Sequence, residues 1–172
     1  ALALGGASSS FAQFPMRPYK STVVNEDGTV TFQYRNNNAK SVSVDVQFAG
    51  KNEMQKDQTG LWKVTLGPAA ADMYPYNFVV DGVSIMDPQC EQYFPNEGFK
   101  NSLLEIPGKS ALPHDIKNVP HGCMEYVNYF SKSLNYTNNA IVYLPPSYNK
   151  EPNKKYPVFY LISGTTDTEE VY

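Results

Sequence analysis

Strict alternation of apolar and polar residues, in short runs broken by turn residues, is the feature that most restricts this chain. In Ser41–Phe48, Val42, Val44, Val46 and Phe48 share one face, and Ser41, Ser43, Asp45 and Gln47 share the other. Successive side chains of a strand point to opposite faces, so this period of two fits a half-buried strand. Thr29–Arg35 repeats the pattern, with Val30, Phe32 and Tyr34 on one side. Leu61–Leu66 places Trp62, Val64 and Leu66 together, and Tyr74, Tyr76, Phe78 and Val80 alternate next. Val83–Ile85 and Ser102–Ile106 complete the series. Asn36-Asn37-Asn38 is a turn signal. Asp81-Gly82 lies between two apolar runs and predicts a type I′ hairpin, whose two central residues need positive φ. Residues 20–107 therefore predict about seven short antiparallel strands in a small sandwich of immunoglobulin type.

The next stretch differs. Gly108–Gly122 holds prolines, glycines and little periodicity, which suits a linker. Strands are expected again at Met124–Phe130 and Ala140–Leu144, the second ended by Pro145-Pro146. Val158–Ile162, V-F-Y-L-I, is continuously apolar between Pro157 and Ser163-Gly164. Such a run suits a strand buried on both faces, as in a sheet covered by helices. Thr166 and Glu169 have the spacing of a capping box and predict a helix start. No covering helix is visible before Tyr172, so this strand is expected to leave an unpaired edge and two apolar faces.

Charge and composition narrow the function classes. The formal net charge is −3, from 14 basic and 17 acidic residues. A nucleic-acid binder needs a basic surface, and none is expected here. No basic patch invites a membrane, and no apolar run approaches the ~20 residues of a membrane helix. Ala1–Ala12 is small and apolar, and Ser10-Phe11-Ala12 has the small-x-small form of a signal-peptidase site. The segment 1–19 is thus read as a signal-peptide remnant and leader, implying a secreted or periplasmic protein; a flexible Ser/Gly leader is the alternative. Cys90 and Cys123 either pair in an oxidising compartment or remain two free thiols.

Three pieces past Cys123 carry a resemblance. They are E-Y-V-N-Y-F-S-K-S-L (Glu125–Leu134), I-V-Y-L-P-P-S-Y (Ile141–Tyr148) and K-Y-P-V-F-Y-L-I-S-G (Lys155–Gly164). In this order and at these spacings they resemble the start of the α/β-hydrolase domain in family 1 carbohydrate esterases, the esterase-D-like feruloyl and acetyl-xylan esterases. The earlier strands resemble the family 48 carbohydrate-binding modules that precede some of these enzymes. The matching residues are Gly60-Leu61-Trp62, Val64–Pro68, Tyr76–Gly82 and Asp87-Pro88. The resemblance implies an all-β immunoglobulin-like sandwich (20–107), a linker (108–122), and the first strands of a truncated α/β-hydrolase domain (123–172). It implies a secreted serine esterase acting on feruloyl or acetyl esters of plant cell-wall xylan, with no metal or organic cofactor.

That chemistry needs a Ser–His–Asp triad with the serine in a G-x-S-x-G elbow. No glycine of this sequence opens such an elbow; in the family it lies beyond the stretch matched here, as do the acid and the histidine. This chain by itself is therefore expected to be inactive. One catalytic element does fall inside it. The loop after the third hydrolase strand supplies a backbone N–H to the oxyanion hole, and losing one such donor costs on the order of 3 kcal/mol. Here that loop is Ser163–Asp167, with the N–H of Thr165 the first candidate and that of Thr166 the second; the bland alternative is a plain turn. Most family members have His where this chain has Ser163. His114 and His121 precede the hydrolase strands and are read as linker histidines, because the base of this fold follows the nucleophile. Neither has the paired spacing of a metal site.

Sugar contacts are harder to place. Trp62 is a possible stacking platform, but its phase with Val64 and Leu66 favours core. Tyr93, Phe94 and Phe99 lie in a Pro/Asn/Gly-rich stretch and are candidates for polysaccharide or interdomain contact, with satellite core packing the alternative. The expected partners are a xylan-type polysaccharide and either the missing C-terminal hydrolase portion or a second copy exchanging strands. The competing function is a non-catalytic module binding xylan or an α-glucan.

Overall fold

The computed structural model describes residues 19–96, 98–112 and 114–169. The proposed leader up to residue 18, with its cleavage site, lies outside these residues. Among the described residues there are twelve strands and no helix, and every strand pairing is antiparallel.

Ten of the strands precede Pro107: β1 Thr22–Val24, β2 Val30–Arg35, β3 Val42–Val46, β4 Gly50–Glu53, β5 Gln55–Lys56, β6 Leu61–Leu66, β7 Asp72–Val80, β8 Val83–Ile85, β9 Tyr93–Phe94 and β10 Asn101–Ile106. They make two sheets, one in the order β1-β2-β6-β5 and the other β4-β3-β7-β10-β9 with β8 also on β7. The register places apolar residues opposite apolar residues. Val30, Phe32 and Tyr34 face Leu66, Val64 and Trp62, and Val42, Val44 and Val46 face Val80, Phe78 and Tyr76. A slip of one residue would turn each of these sets to solvent, which is why alternation specifies the pairing.

The two apolar faces close on each other. The rings of Phe32 and Tyr76 stand 5.4 Å apart and those of Tyr34 and Phe78 5.0 Å apart, bridging the sheets. Val30, Phe32, Val44 and Phe78 are completely buried. Phe78 alone accounts for about 3–5 kcal/mol if cut back to alanine. The predicted hairpin forms: Asp81 and Gly82 have φ of 47° and 87°, as a type I′ turn needs. The Asp81 carboxylate also accepts the N–H groups of Lys40 and Ser41, both at 2.8 Å, and so ties the turn to the start of β3. The strands beyond the expected set, β1, β4, β5 and β9, have two to four residues each. Such pieces are too short to show a period, and β4 and β5 are polar edge strands of the kind that resist further pairing.

Past Gly122 the chain forms a long hairpin, β11 Cys123–Ser131 with β12 Tyr136–Leu144, in nine consecutive pairs. Asn135, with φ of 50°, helps turn the four-residue connection. Both faces of this hairpin are open, and Tyr126, Tyr129, Phe130, Tyr136 and Tyr143 are exposed. Val158–Ile162 departs from expectation. No strand forms there among the described residues, and its five side chains are 57–89% exposed. A strand exists only when a neighbour accepts and donates along its edge, and no described residue offers that edge. The helix start expected at Thr166 is likewise replaced by a turn. Cys90 and Cys123 are separate free thiols.

Candidate functional site

The turn that follows the apolar run is Gly164–Asp167. The Asp167 N–H donates to the Gly164 carbonyl at 3.3 Å, and the Ser163 hydroxyl donates to the Asp167 carbonyl at 3.4 Å. Thr166, at the third position, has φ of 68°. A type II turn demands positive φ there and normally uses glycine. A β-branched residue in this region is a genuine outlier, costing on the order of 1–3 kcal/mol, and it persists only where its surroundings enforce it. Thr165 and Thr166 are exposed, and among the described residues nothing accepts a hydrogen bond from the N–H of either.

The enforcing contact comes from the sandwich. Residues 96 and 167 form an isolated antiparallel bridge. The Asn96 side-chain amide donates to the Asp167 carboxylate at 2.8 Å. Its carbonyl oxygen accepts the N–H groups of Gly98 (2.8 Å) and Phe99 (3.2 Å). Asn96 is only 3% exposed, so both ends of its amide are used. Gly98 lies against Thr166: a Cβ added there would sit 3.7 Å from the Thr166 hydroxyl oxygen. Sequence reasoning missed Asn96. Pro95-Asn96 reads as an ordinary turn, and no local signal marks a partner 71 residues away.

The aromatic candidates divide. Tyr93 and Phe99 flank Asn96 and are 43% and 55% exposed, while Phe94 is half-buried. Lys100 Nζ lies 5.6 Å from the centre of the Tyr93 ring. These three residues lie on β9 and the loop after it, within three positions of Asn96, which bonds to the 164–167 turn. Trp62 is elsewhere. It belongs to the sandwich core at 7% exposure, its indole N–H donates to the Asn36 carbonyl at 2.9 Å, and Lys56 Nζ lies 5.3 Å from the centre of its ring. A ring so enclosed offers no face for a sugar, so the stacking role considered for Trp62 is set aside.

The histidines stay outside the site. His121 Nε2 is 2.9 Å from the Lys117 carbonyl. His114 Nε2 lies 3.8–3.9 Å from Asp115 and Glu105. The fold thus adds Glu105 to the sequence neighbours His114 and Asp115, in a solvent-open group. A second polar cluster is buried in the sandwich. The Tyr76 hydroxyl donates to Asp87 Oδ2 at 2.6 Å, the Gln89 N–H donates to Asp87 Oδ1 at 2.9 Å, and the Asp87 N–H donates to the Ser102 hydroxyl at 2.7 Å. Burial, and then the Asp87 carboxyl group beside it, push the Tyr76 hydroxyl far above the ordinary tyrosine range.

No family model matches this chain. It is 31% identical over 154 residues to a protein of Xylanibacter ruminicola named endo-1,4-beta-xylanase/feruloyl esterase, covering 86% of this chain and 21% of that protein. The chain thus spans about a fifth of the length of that curated relative. Among solved structures it is similar to the enterobactin esterase of Shigella flexneri, with a TM-score of 0.50 and 19% identity over 66% of this chain and 38% of that one. It is also similar to the catalytic module of a pneumococcal glycogen-degrading virulence factor, with a TM-score of 0.44 and 18% identity over 61% and 18% of the two chains. At 19% identity the likeness to the enterobactin esterase speaks for the fold alone.

Proposed function

We propose that this chain is the N-terminal part of a secreted serine carboxylic-ester hydrolase that removes feruloyl or acetyl groups from xylan-type cell-wall polysaccharide. In this reading, residues 20–107 are a sandwich like a family 48 carbohydrate-binding module. Residues 108–122 are the linker, and 123–172 begin a hydrolase domain like that of a family 1 carbohydrate esterase. The observation that carries it is the extent of the match to the Xylanibacter protein. A match over 86% of the chain must extend past Pro107, so a single relative, named both xylanase and feruloyl esterase, is similar to this chain on both sides of the proposed linker.

The geometry of the turn supports a role in acyl transfer. When a serine oxygen adds to an ester carbonyl, negative charge gathers on the carbonyl oxygen, and fixed N–H donors stabilise it. Thr165 and Thr166 present N–H groups without an acceptor among the described residues, on a turn held in one conformation. The donor is main-chain, so Ser163 in place of the family's histidine does not remove it. Tyr93, Phe94 and Phe99 are proposed to form the aromatic side of the substrate surface, where a feruloyl ring or a sugar face would lie. The serine, histidine and acid would come from residues beyond those of this chain, and no metal or organic cofactor is required.

The test compares the full-length gene product with the 172-residue chain on methyl ferulate and acetylated xylan, and runs both on xylan and starch affinity gels. Hydrolysis by the full-length product, none by the chain alone, and retention of both by xylan are expected. Turnover by the pure 172-residue chain would refute the assignment of the triad to other residues. A full-length product that hydrolyses neither ester yet binds xylan or starch would make this a binding module instead.

A further inference from the structure

We infer that Asn96 is a positioning residue for the 164–167 turn, so that the sandwich sets the shape of an oxyanion donor belonging to the hydrolase part. The inference rests on the reading of that turn as the oxyanion loop, and deepens it.

Four observations converge. Asn96 is 3% exposed although Gly98 and Phe99 beside it are exposed. A buried amide is retained where it is fully hydrogen-bonded, and here one half serves its own loop and the other half serves Asp167. The bond is reinforced by the backbone bridge between residues 96 and 167. It sits one residue from Thr166, whose left-handed φ needs an external constraint. Finally, among the described residues it is the one side-chain hydrogen bond joining residues 19–106 to residues 123–169. Among the described residues this tie, side chain and backbone bridge together, therefore falls at the turn whose geometry matters most for a transition-state oxygen.

Position follows from this directly. Asp167 donates its own N–H to the Gly164 carbonyl, so fixing the Asp167 side chain fixes the end of the turn and with it the directions of the Thr165 and Thr166 N–H groups. An oxyanion donor works only if it already points at the site of developing charge. Displacement by about 1 Å is enough to lower a rate roughly 100-fold.

The experiment uses four forms of the full-length gene product: wild type, Asn96→Asp, Asp167→Asn, and the double variant. Asn96→Asp keeps an oxygen for the Gly98 and Phe99 N–H groups but sets two carboxylates against each other. In the double variant the Asn side chain at 167 donates to the Asp side chain at 96, reversing the hydrogen bond and restoring it. With methyl ferulate, Asn96→Asp should lower kcat about 10- to 100-fold with KM within about twofold, and the double variant should recover most of kcat. Asp167→Asn alone should fall between. In the 172-residue chain, amide exchange at Thr165–Thr168 should quicken in Asn96→Asp and slow again in the double variant, while Trp62 fluorescence reports an intact sandwich. Wild-type kcat in Asn96→Asp, or a double variant as impaired as the worse single, overturns the inference while leaving esterase function standing. A wild-type product without esterase activity overturns the functional reading and the positioning role together.

Discussion

Asp87→Ala should destabilise the sandwich by about 3 kcal/mol, and about half of that loss should vanish as a separate cost once Tyr76 is also changed to Phe. The magnitude comes from the partners left behind. The Tyr76 side chain is 2% exposed and gives its hydroxyl proton to Asp87 at 2.6 Å. Without the carboxyl group that donor loses its partner in a buried position, and an unsatisfied buried donor costs roughly 1–3 kcal/mol. Gln89 is exposed, so its freed N–H can turn to solvent for about 1 kcal/mol. Tyr76→Phe alone strands a carboxyl oxygen in the same place, at a similar roughly 1–3 kcal/mol. Removing both leaves neither group unpaired, so the double variant should be more stable than the sum of the singles by about 1–2 kcal/mol. Urea unfolding followed by Trp62 fluorescence reads this cleanly, because Trp62 is the only tryptophan and lies in the sandwich core. With a slope near 2 kcal/mol per M, Asp87→Ala should lower the midpoint by roughly 1.5 M. Additivity of the two changes within about 0.5 kcal/mol would mean that Tyr76 and Asp87 are not coupled, and the buried network would lose its standing.

Two further outcomes are expected. The carboxyls of Asp27 and Asp57 are held below their ordinary value chiefly by the hydroxyls of Thr29 and Thr59, and that of Asp81 by the Ser41 N–H. Folded values below the unfolded ~3.9 contribute stability that is present above about pH 4 and lost as pH falls through the folded values. The urea midpoint should therefore drop from pH 4 to pH 2, with a shallower drop in Asp81→Asn; a flat profile over that range would refute the linkage. The exposed apolar run Val158–Ile162 should make the 172-residue chain self-associate by pairing with the same run of another copy. Light scattering should show this, and Phe159→Lys with Leu161→Lys should reduce it; a monodisperse wild-type monomer would count against it.

Much of the sandwich was legible because a half-buried strand writes its own pattern. Val42, Val44 and Val46 announce which face is buried, and the same alternation in β7 fixes which residues can oppose them. Asp81-Gly82 announced its turn because few residue pairs tolerate positive φ twice. Trp62 was correctly favoured as core by its phase with Val64 and Leu66. The short edge strands were not legible, since two to four residues cannot display a period. Val158–Ile162 was misjudged for a different reason. Its composition specifies a strand, but a strand is a relation between two chains of hydrogen bonds, and the second is not among the described residues.

The turn at Gly164–Asp167 shows where sequence ends and structure begins. Sequence by itself placed a loop after the apolar run, and the resemblance offered the N–H groups of Thr165 and Thr166 there as donor candidates. It determined the β class, the buried faces and the hairpin turn, because each depends on residues close together in the chain. Only the tertiary structure brought Asn96 to Asp167 and set Gly98 against Thr166. A hydrogen bond between residues so far apart depends on how the sandwich and the later strands fold back on each other, and neither partner's neighbours carry a trace of it.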